Sequence, residues 1–514
     1  MTTAPRQVII GLDVGTTGVK AVAFGLASPW RTLAVRLYPL LRPAPGHEVQ
    51  DPAAILTAAS AALSECVASI GTAEVIGVSL SAAMHGLMAL DADLQPITPL
   101  VTWADGRASE EAADLARQRV TLDLQQTTGT PVHPMTPMAK LVWFHHNDPA
   151  TWKAARWWAG LKDYLLLWLT GTLATELSSA SGTGLLDVST RTWSPLALAA
   201  SGVDPQRLPE ILATTDVLAL DRQVAATVGL PAGTPVAVGA ADGPLANLGT
   251  GAIAPGVAGL SLGTSGAIRT AVDGPHPDRH GRLFCYALTD AIWVVGGAVS
   301  NGAEVLRWAE RILGGGPPAG ADSTSPPDTT THVPNEQVAP SSDGLVMLPF
   351  LFPERAPLWD QDLAGACLGL RHHHRGAHLR RAAMEGVCLQ MRYLLDRVDH
   401  SYPVASVRAT GGAFGSALWR DLMAAALDRP MTVVGDEDGT ALGAAALGLL
   451  ALGAAPSLDQ ALAALGGVSA GVPATAPAEQ VAVFADIRQR LTTLLGALGR
   501  TAGIEAGAAV PVEP

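Results

Sequence analysis

Two segments of the chain place glycines beside hydroxyls at the spacing of a phosphate cradle. Gly15, Thr16 and Thr17 sit in IIGLDVGTTGVKAVAF (residues 9–24), and Gly263, Thr264 and Ser265 sit in VAGLSLGTSGAIRTAV (residues 257–272). In a tight turn, such residues can point backbone N–H and side-chain O–H groups at phosphate oxygens. Each turn lies between two β-rich apolar runs, which reads as a hairpin. Asp13 of the first copy corresponds to Ser261 of the second, and Lys20 to Ile268. Paired cradles with a carboxylate on one side suggest a nucleotide held between two related domains, its metal beside Asp13. Two unrelated Gly-rich hairpins would look similar taken singly; a second copy, early in the other half of the chain, weighs against that reading. Neither copy is a Walker loop, because no Gly-Lys-Ser/Thr follows, and neither has the G-x-G-x-x-G of dinucleotide binders.

Other residues could serve a second ligand. Asp242 ends the apolar run PVAVGAADG, where a carboxylate can face a cleft; capping the next helix is the structural alternative. Met84, His85 and Gly86 follow the strand-like EVIGVSLS, and His85 could bond a ligand hydroxyl or carboxylate or simply be a satisfied structural group. In TWADGRA, the alternating Trp103, Asp105 and Arg107 share one face if the segment is extended, a surface suited to a polyol. A local Asp–Arg pair is the plainer reading. Three prolines stiffen the loop around His133, which leads into a helix carrying Lys140. Gly411 and Gly412 form a strand–turn–helix bend that a nucleotide could approach. The run His372, His373, His374 cannot share one face, so metal ligation there is awkward.

The elements behind these residues alternate strand and helix, the pattern of an α/β protein. Helical spacing covers Pro52–Ala68, 109–121, 152–169, 302–313, 379–398, 417–426 and 480–498; strands are expected at 74–80, 87–90, 208–212, 217–220, 235–239, 292–295 and 406–409. The aromatic stripe Trp157, Trp158, Tyr164, Trp168 reads as core. Residues 314–344 form a Pro/Gly/Ser/Thr excursion, and the last dozen residues are expected to fray.

At 514 residues, 48% apolar and 15% charged, the chain is long enough for two large cores. Its net charge of −13 argues against nucleic acid or an anionic membrane as partner, though not against an anionic substrate in a local pocket. Four cysteines without CxxC spacing fit neither a disulfide framework nor a zinc site, so a reduced cytoplasmic setting is expected. No secretory signature opens the chain, and the apolar Thr440–Ala455 reads as a buried helix.

Together these motifs resemble the FGGY family of carbohydrate kinases, in the actin-like ATPase superfamily. The resemblance rests on DVGTTGVK, MHG, TWADGRA, AADG, SLGTSG, NGAEVLRW, LPFLFPERAPLWD, ATGGAFGSALWRDLMA and DGTALGAAALG, in family order from about Val8 to Leu450. It implies an α/β fold of two actin-like (ribonuclease H-like) domains with an interdomain ATP/sugar cleft. Residues 1–245 would be the N-terminal domain, with the sugar site and first phosphate loop; 246–465 the C-terminal, nucleotide-binding domain; and 466–514 a helix and tail. It also implies roles. Asp13 would hold Mg²⁺ through water, while Gly15, Thr16, Thr17, Lys20, Gly263, Thr264 and Ser265 would contact phosphates. Asn301, Gly411 and Gly412 would lie along the base and ribose. Asp242 would be the general base, and Met84, His85, Gly86, Trp103, Asp105, Arg107 and His133 would face the sugar. Within the family, His133-Pro134-Met135 and ITPLVTWADGRA are most similar to the members acting on gluconate. His85, Arg107, His133 and Lys140 could partner a carboxylate. The expectation is phosphorylation of the terminal hydroxyl of D-gluconate with ATP and Mg²⁺. A xylulose or other polyol kinase, and a non-enzymatic actin-like ATP-binding module, are the alternatives. A homodimer is implied by the resemblance alone.

Overall fold

The first strand, Gln7–Val14, is apolar on both faces because both faces are covered. Val8, Ile10, Leu12 and Val14 point into one core with Ile55, Ala59 and Leu63 of the helix Pro52–Ser69, whereas Ile9 points into another with Ala441, Ala444 and Ala445 of the helix Gly439–Ala451. The computed structural model describes residues 7–313, 338–435 and 438–501; residues 314–337 of the 314–344 excursion and the final tail lie outside the described residues.

The chain forms two compact units. The first gathers residues 1–255, 271–295 and 436–469, and the second residues 256–270, 296–435 and 470–514. The first contains a six-stranded mixed sheet in the order Val217–Ala219, Pro235–Ala241, Glu74–Ala82, Gln7–Val14, Gly18–Gly25, Arg31–Leu37. Gln7–Val14 runs antiparallel to Gly18–Gly25 and parallel to Glu74–Ala82, which in turn runs parallel to Pro235–Ala241. The second unit repeats this plan. Val257–Leu262 is antiparallel to Gly266–Asp273 and parallel to Ser406–Thr410, followed by parallel Met431–Val433. The resemblance between the two GT[TS]G segments therefore extends to the topology around them. Their registers differ by one residue: Asp13 faces Lys20, but Ser261 faces Ala267 rather than Ile268.

Two helical expectations are corrected. Residues 152–169 do not form one helix: Pro149–Ala154 is helical, Trp157–Ala159 is a strand paired with Met88–Leu90, and Leu161–Thr170 is a second helix. The first helix stops at Ala155, extended at φ −62° and ψ 124°, and the second starts after Gly160, extended at φ −85° and ψ 176°, whose N–H is capped by Asp163 Oδ2 at 2.6 Å. Residues 109–121 likewise divide, into Ser109–Ala116 and a separate helix Thr121–Thr128. Among the described residues, one helix, Pro52–Ser69, is long and apolar enough to cross a membrane. Its Ile55, Ala58, Ala59, Ala62, Leu63 and Cys66 are buried.

Candidate active site

The first Gly-Thr-Thr-Gly turn is held from behind. Gly15 N–H donates to Gly18 O at 2.9 Å, the Tyr38 hydroxyl donates to Gly15 O, and the buried Gln50 Nε2 donates to Thr16 O. In a trans peptide, N–H lies opposite C=O, so engaging both carbonyls aims the Thr16 and Thr17 N–H groups the other way. That is how a phosphate cradle is built.

Asp13 lies beside this turn, facing Lys20 across the hairpin and accepting a 2.7 Å bond from Ser81 Oγ. Burial raises its pKa against the opposing effects of Ser81 and Lys20, and the nearby Asp438 raises it further. Asp438 in turn has Lys20 Nζ and Arg31 Nε each at 3.9 Å. Two carboxylates and two cations thus gather at one end of the hairpin. Asp438 directly precedes the Gly/Ala-rich helix Gly439–Ala451, and the fold alone carries it to Lys20. Among the described residues no group of three or more His, Cys, Asp or Glu is arranged to hold a metal. Mg²⁺, which keeps several waters and takes one or two carboxylates plus phosphate oxygens, needs no such group. Asp13 beside the Gly-Thr-Thr-Gly turn, with the Asp438 carboxylate acting on it, fits that donor set.

One of the sugar-facing candidates reaches the same turn. Trp103 Nε1 donates to Thr16 Oγ1 at 2.9 Å, tying TWADGRA to the first cradle. The segment is a turn rather than a strand, and Asp105 folds back onto Arg107. Nε and Nη2 of Arg107 reach the two carboxylate oxygens at 2.8 and 2.9 Å, and Glu48 N–H adds a third bond at 2.7 Å. Burial would raise the Asp105 pKa, but Arg107 and the Glu48 N–H outweigh it and hold the carboxyl below its ordinary value. The Arg107 guanidinium also stacks 5.0 Å from the Trp143 ring centre. The local pair is the outcome for these two residues, and it makes the loop rigid.

His85 adopts φ 66°, its Nδ1 lies 2.7 Å from Gly182 O, and its ring meets Tyr286 edge-on at 5.7 Å. Met84 packs on Gly182, where an added Cβ would sit 2.5 Å from its Cε; Gly86 is buried. Lys140, on the helix Pro137–Asn147, is fully buried and donates to His85 O at 2.6 Å and Met135 O at 2.8 Å. It ties MHG to the His-Pro-Met loop and so fixes both. Burial lowers its pKa to about 7. His133 is mostly buried, its Nδ1 accepting Met135 N–H at 3.2 Å. Asp242 is half-buried and opens the helix Asp242–Gly249, one residue beyond the strand that sequence had it end. Its Oδ1 accepts Gly243 N–H at 2.8 Å.

In the second unit, Gly302 N–H and Ala303 N–H donate to Thr264 O and Gly263 O at 3.1 and 2.8 Å, while Gly263 N–H donates to Ser265 O at 2.9 Å. Arg307 Nη2 donates to Thr264 Oγ1 at 2.9 Å, placing a cation on this loop. Gly411, at φ 115°, is where only glycine fits, since a Cβ would overlap Leu262 O; Gly412 opens the short helical turn that follows. Asn301 is fully buried. Its Oδ1 accepts Leu351 and Phe352 N–H at 2.8 and 2.9 Å, and its Nδ2 donates to Glu354 Oε2 at 2.6 Å. The amide orders the segment from Leu351 to Glu354. His374 and His378 accept the N–H groups of Arg371 and Arg375, so the histidine run builds a turn.

Known proteins resemble this chain along most of its length. The profile of the FGGY family of carbohydrate kinases, N-terminal domain, matches residues 8–249, and its C-terminal domain counterpart matches residues 258–452. A gluconokinase of Bacillus subtilis (strain 168) is 34% identical over 492 residues, covering 95% of this chain and 96% of that protein. Two crystal structures from Lactobacillus acidophilus, a gluconate kinase and a ligand-bound xylulose kinase, each match with a TM-score of 0.88 at 29% identity, covering 97% of this chain and 99% of theirs.

Proposed function

Because this chain belongs to the FGGY family of carbohydrate kinases, we propose that it moves the γ-phosphoryl group of ATP to the terminal hydroxyl of D-gluconate, giving 6-phosphogluconate and ADP. The choice of gluconate is carried by the gluconokinase relationship, which runs along 95% of the chain.

An alcohol is a poor nucleophile, and a carboxylate within hydrogen-bond reach takes its proton as attack proceeds. Asp242 fills that role: as the oxygen–phosphorus bond forms, the hydroxyl proton passes to the carboxylate and ADP departs with the bonding pair. Its place at a helix N-terminus favours the ionised form. The transition state is loose, so most acceleration comes from position and charge. Gly15, Thr16, Thr17 and Lys20 receive phosphate oxygens, and Gly263, Thr264 and Ser265 serve the nucleotide from the second unit, with Gly411 and Gly412 along its adenosine. Mg²⁺ held through Asp13 would supply charge neutralisation at those oxygens. The Trp103–Thr16 bond supports one further point: sugar and phosphate loops of the first unit are joined, so acceptor and donor positions are set together.

ADP release measured over gluconate, xylulose, ribulose and glycerol tests the proposal. Gluconate should give the highest kcat/KM. Since the xylulose kinase structure matches as well as the gluconate kinase does, a preference for xylulose is the outcome that would overturn the substrate assignment.

A further inference from the structure

Glu176 and Lys162 are buried charges that the mechanism above does not use. Glu176 is fully buried and Lys162 3% exposed, with Nζ to Oε1 at 3.0 Å. A buried ion pair is costly to desolvate, so its retention calls for a reason. Glu176 also caps the short helix Leu177–Ser181, accepting the N–H groups of Ser178 and Ser179. Two of the bonds that lead outward from this region reach the site. Ser178 Oγ accepts the N–H of Ala241, the residue before Asp242, at 3.1 Å. One residue past the helix, Gly182 O contacts His85 Nδ1 at 2.7 Å. A cavity of about 40 Å³ has Met84, His85 and Gly86 on its wall together with Lys162, Asp163 and Ser179, so Lys162 and the MHG loop border one space.

We propose that Lys162, Glu176 and Ser178 are positioning residues, which fix the base Asp242 and the sugar-facing His85 relative to each other through the helix Leu177–Ser181. The inference rests on the kinase reading and deepens it. A base misplaced by an ångström loses much of its rate, and supporting bonds of this kind set that precision. Lys162 has a second effect. Glu176, Asp163 and Asp242 are the charged groups acting on it, and each favours its protonated form against burial. By reciprocity, the ammonium favours ionised Asp242, the state that a base requires.

Steady-state kinetics of the full-length enzyme across pH, with gluconate as acceptor, tests this. Ser178→Ala should lower kcat roughly 10- to 100-fold with the fold retained by circular dichroism, and without moving the acid limb of the profile. Lys162→Met should move the acid limb to higher pH, because Asp242 then protonates more readily. Asp163, whose pKa burial pushes up to about 6, titrates in the same range. The shift must therefore persist in an Asp163→Asn background. A wild-type kcat in Ser178→Ala, or an unmoved acid limb in Lys162→Met, overturns the inference. If Lys162→Met does not fold, Ser178→Ala decides alone. A wild-type enzyme without acceptor-dependent ADP release would instead sink the kinase reading itself, which the variants leave untouched.

Discussion

Lys140 gives its ammonium to two backbone carbonyls, one from each loop assigned to the sugar. Burial holds its pKa near 7, against 10.5 in the unfolded chain. Between these values the unfolded chain binds the additional proton, so stability climbs as pH rises from about 7 towards 10.5. Lys140→Met should remove that climb and destabilise the protein by about 2 kcal/mol, since two carbonyls lose a charged donor. Urea unfolding at several pH values measures both, and an unchanged pH slope would refute the assignment. The acceptor KM should rise as the loops loosen. For Asp242, replacement by Ala should cost at least roughly 100-fold in kcat while calorimetry still shows ATP binding. Transfer surviving at more than a few per cent would mean that the base lies elsewhere. At this scale the sequence offered residue types, and the structure adds which of them also hold a loop in place. Asp105, Lys140 and Asn301 hold loops. Their bonding partners lie up to 57 residues away along the chain, as in the Asp105–Glu48 bond, and no local pattern signals that.

The elements behind the site meet at backbone distance. The helices Asp242–Gly249 and Gly439–Ala451 pack so closely that a Cβ on Gly249 would overlap the Gly439 carbonyl, and one on Gly443 would overlap Leu245 O. The Gly/Ala composition of the second helix is thus a packing requirement of the helix that begins with Asp242. Gly249→Ala should cost about 1–3 kcal/mol, read as a fall in melting temperature, because the helices must separate. A melting temperature equal to wild type would show that this contact gives way without cost. The hairpins, the strand before MHG and the proline-capped helix were legible, because alternation and punctuation are local signals. The break between Ala155 and Gly160 was not. Trp157–Ala159 belongs to a helical-looking aromatic run, and only its partner Met88–Leu90 makes it a strand.

Across the molecule, a ligand that binds the folded protein and not the unfolded chain must raise its stability, by about 2.7 kcal/mol at a hundredfold excess over Kd. ATP should therefore raise the melting temperature, and Mg²⁺ should raise it further. Asp13→Asn should erase the Mg²⁺-dependent part alone. Loss of the entire ATP shift, or of none of it, would contradict the role given to Asp13. The net charge of −13 is spread over the whole chain, whereas a ligand meets only the charges of its own pocket, so total charge says little about an anionic substrate. The sequence by itself determined the α/β class, the doubled hairpin with its one-sided carboxylate, and the family, because these reside in short contiguous motifs whose chemistry travels with them. Only the tertiary structure decided that Asp436–Ser469 rejoins the first unit, that Asp438 stands beside Lys20, and that Glu176 reaches Asp242 through Ser178 and Ala241. The reason is physical. Burial and hydrogen-bond closure are satisfied between segments far apart in the chain, and no spacing in the sequence records which of them will meet.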